Sequence, residues 1–240
     1  MGKFIQFLDE SVNDRGIFKA IFFAGAPGSG KSFVASAVSS GSISPRIVNT
    51  DKPYEFLVKT YGGVFTGTDD AFVDRAKQLT QTQLVQYLNG MLPLFIDGTS
   101  NSPSALLQRV GILESLGYDV GMVFVNTDLD IALTRALSRE RYVPPELIER
   151  VHASVARNKT YYKQKFGSHF YEVDNSAPIM DDSVIQRMYK QVTSFFTRPV
   201  ENPIGQTTMA NLKQSGEKYL APNIVPIDGI AKKVGVWYAS

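Results

Sequence analysis

Gly25-Ala26-Pro27-Gly28-Ser29-Gly30-Lys31-Ser32 matches the pattern G-x-x-x-x-G-K-[ST] in full. The apolar run Ile17–Phe23 precedes it, and Lys31–Val38 reads as a helix directly after it. A strand, a glycine-rich loop and a helix in that order make a cradle for phosphate. Glycines let the backbone wrap closely, so loop N–H groups and the helix N-terminus face the anion. Lys31 is then placed to reach the β- and γ-phosphates of a nucleoside triphosphate, and the Ser32 hydroxyl to ligate magnesium. The alternative is a glycine-rich strand-to-helix turn that happens to end in Lys-Ser.

Working outward, four further apolar runs suit buried strands: Arg46–Asn49, Leu92–Ile96, Val120–Val125 and Phe170–Val173. Helix-length segments lie between them. Asp70–Leu88 and Ser104–Leu116 carry apolar residues at helical spacing, Pro144 and Pro145 open another helix, and a last one spans about Ser183–Phe196. The alternation predicts an α/β fold of the P-loop NTPase type: a three-layer sandwich with a mainly parallel five-stranded sheet and helices on both faces. Beyond it, Thr197-Arg198-Pro199, Asn202-Pro203 and Gly205 interrupt any regular pattern. The expected division is a P-loop domain over 1–198 and an irregular C-terminal extension over 199–240 with one short helix, Met209–Tyr219. Its apolar end, with Val234, Val236, Trp237 and Tyr238, is expected to pack on the domain or on a partner, self-association included.

Composition narrows the function classes. The chain has 240 residues, 43% of them hydrophobic and 20% charged, which suits a globular domain rather than a disordered chain. It has no cysteine and only His152 and His169, which excludes disulfides, thiolate metal sites and multi-histidine sites. No apolar run reaches the roughly 18 residues that span a bilayer, and no signal peptide opens the sequence, so a soluble, cytoplasmic protein without membrane contact is expected. Net charge is only +2, yet residues 131–165 hold eight Lys or Arg against three Glu. That segment reads as a phosphate-facing surface or as a solvated helical face.

Three sets of charged residues stand at strand ends or on a helix face. Asp51 follows the second strand, twenty residues after Lys31, where a carboxylate can take a proton from an acceptor hydroxyl; the alternative is a helix cap. Asp97 closes the third strand before Gly98 and suits the magnesium shell, or a turn. Leu129, Ala132, Leu133, Ala136 and Leu137 form a buried helical stripe with Arg135 and Arg139 one turn apart on the other side; with Arg141 they read as a lid over the phosphates, or as solvated positions. Tyr161 and Tyr162 read as packing, and neither histidine has a sequence partner that suggests catalysis. The glycine-rich stretch Gly62-Gly63…Gly67 reads as an acceptor-side flap or a turn.

Over roughly residues 17–175 the chain resembles the polynucleotide kinase and zeta-toxin-like group of P-loop kinases, in a phage-type style. The matching pieces are Gly25–Ser32, Asn49-Thr50-Asp51, Ile96-Asp97-Gly98-Thr99-Ser100-Asn101, the Arg135…Arg139 pair and Val143-Pro144-Pro145. The resemblance implies Asp51 as general base, Arg139 on the transferred phosphate with Arg135 beside it, and Asp97 near the magnesium. It also implies nucleotide-side contacts at Ser100 and Asn101, and at Asp174 and Asn175 beside the adenine. Tyr54 and Asn101 stand where the two subgroups carry a substrate-binding arginine. The implied activity is a magnesium- and ATP-dependent kinase acting on a hydroxyl, with a polynucleotide 5′ end ranked before a nucleotide-sugar; a phage-encoded version would work in the host cytoplasm. The competing expectation is an ATP-binding interaction protein whose 199–240 tail docks a partner.

Overall fold

The structure, a computed structural model, describes residues 15–39, 43–62, 70–139, 143–177, 179–215 and 227–238. Five strands form one sheet: β1 (Lys19–Ala24), β2 (Arg46–Val48), β3 (Leu94–Asp97), β4 (Asp119–Asn126) and β5 (Phe170–Asp174). Their order is β2-β3-β1-β4-β5 and every pairing is parallel. The expected sheet is present, with each strand end within two residues of the sequence reading. Because the chain leaves β1 to one side and later crosses to the other, the crevice above the carboxyl ends of β1 and β3 is the switch point where ligands bind in open α/β sheets.

The helices are α1 (Lys31–Val38), α2 (Asp51–Tyr61), α3 (Asp70–Asn89), α4 (Pro103–Ser115), α5 (Leu129–Leu137), α6 (Pro145–Phe166), α7 (Asp182–Thr197), α8 (Pro203–Ser215) and α9 (Ile227–Tyr238). All six β1 residues are buried, and alternate residues face opposite layers. Ala20, Phe22 and Ala24 join a core with Leu84 of α3, Leu106 and Val110 of α4, and Val155 and Tyr162 of α6. Ile21 and Phe23 join a second core with Val34 of α1 and Met188, Val192 and Phe195 of α7. Helices therefore cover both faces, as the continuous apolar strands require.

The extension differs from expectation. In place of an irregular segment with one short helix over 209–219, it carries α8 and α9, and residues 216–226 lie outside the described residues. Sequence reading stopped at the Pro and Gly positions, but Pro203 occupies the first turn of α8, where its missing N–H costs nothing. Leu212, Ile230, Val234 and Trp237 are buried in the first core, and α9 packs on α3 and α4. Trp237 stacks on Phe22 at 6.0 Å, and the Arg109 guanidinium lies 5.5 Å from its ring centre on the α4 side.

A buried ion pair fixes where the extension begins. Lys19 at the start of β1 donates to Asp119 at the start of β4 at 2.6 Å and to the Pro199 carbonyl at 2.9 Å. Asp119 in turn accepts the backbone N–H groups of Glu201 and Asn202, each at 2.8 Å. Every polar atom there finds a partner, which is the condition for tolerating buried charge. Replacing Trp237 by alanine should therefore cost about 3–5 kcal/mol of stability. Urea denaturation followed by far-UV circular dichroism checks this, and an unchanged midpoint would place α9 off the core.

Candidate active site

The loop between β1 and α1 owes its shape to two left-handed glycines. Gly28 has φ 81° and Gly30 φ 87°, a region that costs other residues about 1–2 kcal/mol. Space forbids a side chain at either: a Cβ on Gly28 would strike the Ala132 carbonyl of α5, and one on Gly30 the Asn175 amide. α1 starts at Lys31 with no side-chain cap, so its first N–H groups are left for a ligand. The Ser29 hydroxyl is buried without a hydrogen-bond partner.

Lys31 lies at the loop mouth, its ammonium donating to the carbonyls of Gly25 at 2.9 Å and Ala26 at 3.0 Å. Burial pulls its pKa below the usual lysine value; Asp97 opposes that shift, Arg139 adds to it and Asp51 opposes it more weakly. Asp97, Arg139 and Asp51 thus all influence the charge on Lys31. The Asp97 carboxylate accepts from the Ser32 hydroxyl at 3.0 Å and from the Asn49 amide at 2.7 Å. A hydroxyl and a carboxylate adjoining a phosphate loop are the sparse protein ligand set that magnesium takes when substrate phosphates and water fill its other positions. Among the described residues no group of three or more His, Cys, Asp or Glu forms a metal site by itself.

Asp51 is the first residue of α2, and the preceding Thr50 takes the cap position without a side-chain bond. Asp51 therefore stands not at the cap position but inside the first turn of α2, where its charge suits the helix dipole. The Asn49 side chain accepts the Asp51 N–H at 2.5 Å and so touches both Asp51 and Asp97. Sequence reasoning quoted Asn49 without giving it a role; its position between a strand end and a carboxylate was the available signal.

The remaining expected residues are engaged in other ways. α5 ends at Leu137, so exposed Arg139 stands beyond the helix rather than one turn along the same face, and Arg141 lies outside the described residues, as does the Gly63…Gly67 stretch. The Arg135 guanidinium donates to the carbonyls of Asn175 at 2.8 Å and Ala177 at 2.7 Å. The Asn175 side chain donates to the Ser29 carbonyl at 2.7 Å, beneath the loop. Asp174 accepts from the backbone and hydroxyl of Ser176 in a local turn.

The loop after β3 is held from α6. Ser100 adopts φ 54°, left-handed and uncommon for a residue with a side chain. Its carbonyl accepts from the Tyr162 hydroxyl at 2.5 Å, and the Asn101 carbonyl accepts from Ser154 and Asn158, each at 3.0 Å. Ser100 and Asn101 thus turn their carbonyls to α6, while Thr99 accepts the Gly25 N–H at 3.3 Å. His152, also on α6, has Nε2 within 2.7 Å of the Thr127 carbonyl, and His169 meets the Phe195 ring edge-on. Both histidines serve packing and anchoring here.

The profile of the AAA_33 family, described as an AAA domain, matches residues 21–159. The chain belongs to that family. Among solved structures it is similar to a candidate kinase from Chloroflexus aurantiacus, with a TM-score of 0.52 and 16% identity over 73% of this chain and 98% of that one. It is similar also to a chain of the Pnkp1/Rnl/Hen1 RNA repair complex, with a TM-score of 0.50 and 20% identity over 64% of this chain and 48% of that one. A third likeness, to AvrRxo1-ORF1:AvrRxo1-ORF2 with sulphate ions, has a TM-score of 0.52 and 14% identity over 72% and 62% of the two chains. At these identities the likeness is one of fold, the α/β P-loop kinase-like fold. No curated protein matches. Among the described residues no helix is long and apolar enough to cross a membrane.

The Tyr162 clamp has a consequence for alkaline stability. Burial pushes the Tyr162 phenol from 10.0 up to about 12, so the folded chain holds a proton that the unfolded chain releases near pH 10. Its stabilising contribution is complete below pH 10 and is lost as pH rises toward about 12. Urea midpoints across that window should fall more steeply for the wild type than for Tyr162→Phe. Parallel slopes would show that the phenol ionises alike in both states.

Proposed function

We propose that the protein is a magnesium- and ATP-dependent phosphotransferase that acts on a hydroxyl acceptor, a polynucleotide 5′-hydroxyl ranked first and a nucleotide-sugar second. The observation that supports this reading is the loop itself, left-handed Gly28 and Gly30 leading into an uncapped α1, with the Ser32 hydroxyl 3.0 Å from the Asp97 carboxylate at its mouth. Likeness in fold to a candidate kinase and to a chain of an RNA repair complex supports it.

In this reading the loop amides and Lys31 bind the β- and γ-phosphates, Lys31 exchanging its two carbonyl partners for phosphate oxygens. Ser32 and Asp97 would hold magnesium, which supplies charge neutralisation on the phosphate oxygens. Asp51 accepts the acceptor's proton as that oxygen bonds to the γ-phosphorus. The bond from phosphorus to the bridging oxygen breaks and its electron pair leaves with ADP. Arg139 and Lys31 meet the charge that develops on the transferred group. Asn49 ties the start of α2 to the cation side of the site, its amide oxygen accepting the Asp51 backbone N–H and its amide N–H donating to the Asp97 carboxylate.

The competing reading is a nucleotide-binding interaction protein that docks a partner through residues 199–240, where Ile204 and Val236 are about half exposed. Against it, Leu212, Ile230, Val234 and Trp237 of the same segment are buried in this chain's own core.

Turnover of ATP with a single-stranded oligonucleotide bearing a free 5′-hydroxyl, set beside a nucleotide-sugar, tests the acceptor class. Stimulation by neither would remove both from the proposal. Asp51→Asn should lower acceptor-dependent transfer about 10²–10⁴-fold, the usual general-base contribution, with ATP affinity and melting temperature little changed. Near-normal transfer would take Asp51 out of the mechanism. Arg139→Ala should lower kcat more than ATP affinity, because its contact strengthens as charge moves; steady-state kinetics in which affinity falls in proportion to rate would assign it to ground-state binding.

A further inference from the structure

We infer that Asn175 is a positioning residue that aims one amide of the phosphate loop, and that it does so from beneath the loop rather than by touching the base. The inference rests on the reading of Gly25–Ser32 as a phosphate site.

The argument starts with one peptide bond. In a trans peptide the C=O and the following N–H point in opposite directions. The Ser29 carbonyl accepts from the Asn175 side chain at 2.7 Å. The Thr127 hydroxyl reaches the same oxygen at 3.1 Å, sharing its single proton with the Asn126 carbonyl at 2.6 Å. Holding that carbonyl inward turns the N–H of Gly30 outward, onto the open face of the loop. Among the described residues no backbone carbonyl takes the Gly30 N–H, so it stays available for an anion.

Asn175 is itself fixed on three sides. It is 4% exposed, so water does not compete for its amide. Its own N–H donates to the Asn126 carbonyl at 2.8 Å, and its carbonyl accepts from Arg135 at 2.8 Å. The amide nitrogen lies where a Cβ on Gly30 would stand, so glycine at position 30 is what lets the brace approach. Thr127 is backed in the same manner, its carbonyl meeting His152 of α6. The brace thus joins the ends of β4 and β5, with Arg135 of α5 closing it, to one carbonyl of the loop.

A base contact and a loop brace predict different losses, and inorganic tripolyphosphate separates them because it has phosphates and no base. With magnesium present, the affinities of the wild type and variants for ATP and for tripolyphosphate are measured by calorimetry, beside melting temperatures. Asn175→Ala should weaken both ligands by the same factor, roughly 3- to 10-fold for one lost hydrogen bond. Asn175→Asp keeps the size but turns an anionic oxygen toward the Ser29 carbonyl, and should weaken both further. Thr127→Val, with the milder expected effect, should lower both affinities in the same ratio and decides the matter if the Asn175 variants fail to fold.

Loss of ATP affinity with tripolyphosphate unchanged would make Asn175 a base contact and overturn the inference. Unchanged affinities for both ligands in folded variants would overturn it too. A wild-type protein that binds neither ligand would instead overturn the phosphate-site reading on which it stands.

Discussion

A loop that binds phosphate must keep several backbone N–H groups pointed at empty space, away from every carbonyl that would otherwise take them. A folded chain resists that arrangement, since a polar group without a partner gives up about 1–3 kcal/mol once it is shielded from water. The protein meets the demand with backbone geometry and with neighbours. Left-handed Gly28 and Gly30 turn the loop, and neither has room for a Cβ because α5 and Asn175 stand against them. Gly25 at the loop's start is tied to Thr99, and Ser29 near its end to Asn175 and Thr127. Each tie holds the loop by its back and leaves the opposite side for the ligand.

The same constraint orders the charges. A buried lysine loses solvation, which favours its neutral form, and carboxylates nearby restore the charged form. Asp97 and Asp51 do this for Lys31, while Arg139 works against it. A nucleotide's phosphates would likewise favour the charged form of Lys31. Asn49 contributes by occupying one oxygen of Asp97, which already accepts from Ser32. The Asp97 carboxylate is therefore oriented by two donors.

Much of this was legible in the sequence, for reasons that differ by residue. The strands around β1 were readable because both faces are buried, which leaves runs such as Ile-Phe-Phe uninterrupted by polar residues. That Ser32 and Asp97 would meet was readable because one follows the loop after a strand end and the other closes a strand, and strand ends of a parallel sheet share one rim. Residues acting through the tertiary fold were not readable. Arg135 looked like a partner of Arg139 by helical spacing, but α5 stops between them and Arg135 turns to the segment after β5. Asn175 and Ser100 were expected at the nucleotide, yet what each does depends on contacts across 146 and 62 positions of sequence, which no local pattern records. Buried Lys19 gave no signal either, since its partner Asp119 lies 100 residues away.

The two ends of β1 divide the work. At its carboxyl end the chain enters a loop whose donors are held in reserve; at its amino end Lys19, Asp119 and the backbone of residues 199–202 satisfy one another completely. Between them the strand is buried on both faces, by α1 and α7 on one side and by α3, α4, α6 and α9 on the other. A strand fixed along its whole length cannot shift to let the loop relax its amides onto nearby carbonyls. Trp237 stacked on Phe22 extends that restraint to the C-terminal extension, two residues down the strand from the last residue before the loop. The extension thus belongs to the support of the phosphate site: its helices cover the face of β1 that the α/β layers alone would leave thinner, and the ion pair at the strand's foot fixes where that cover begins.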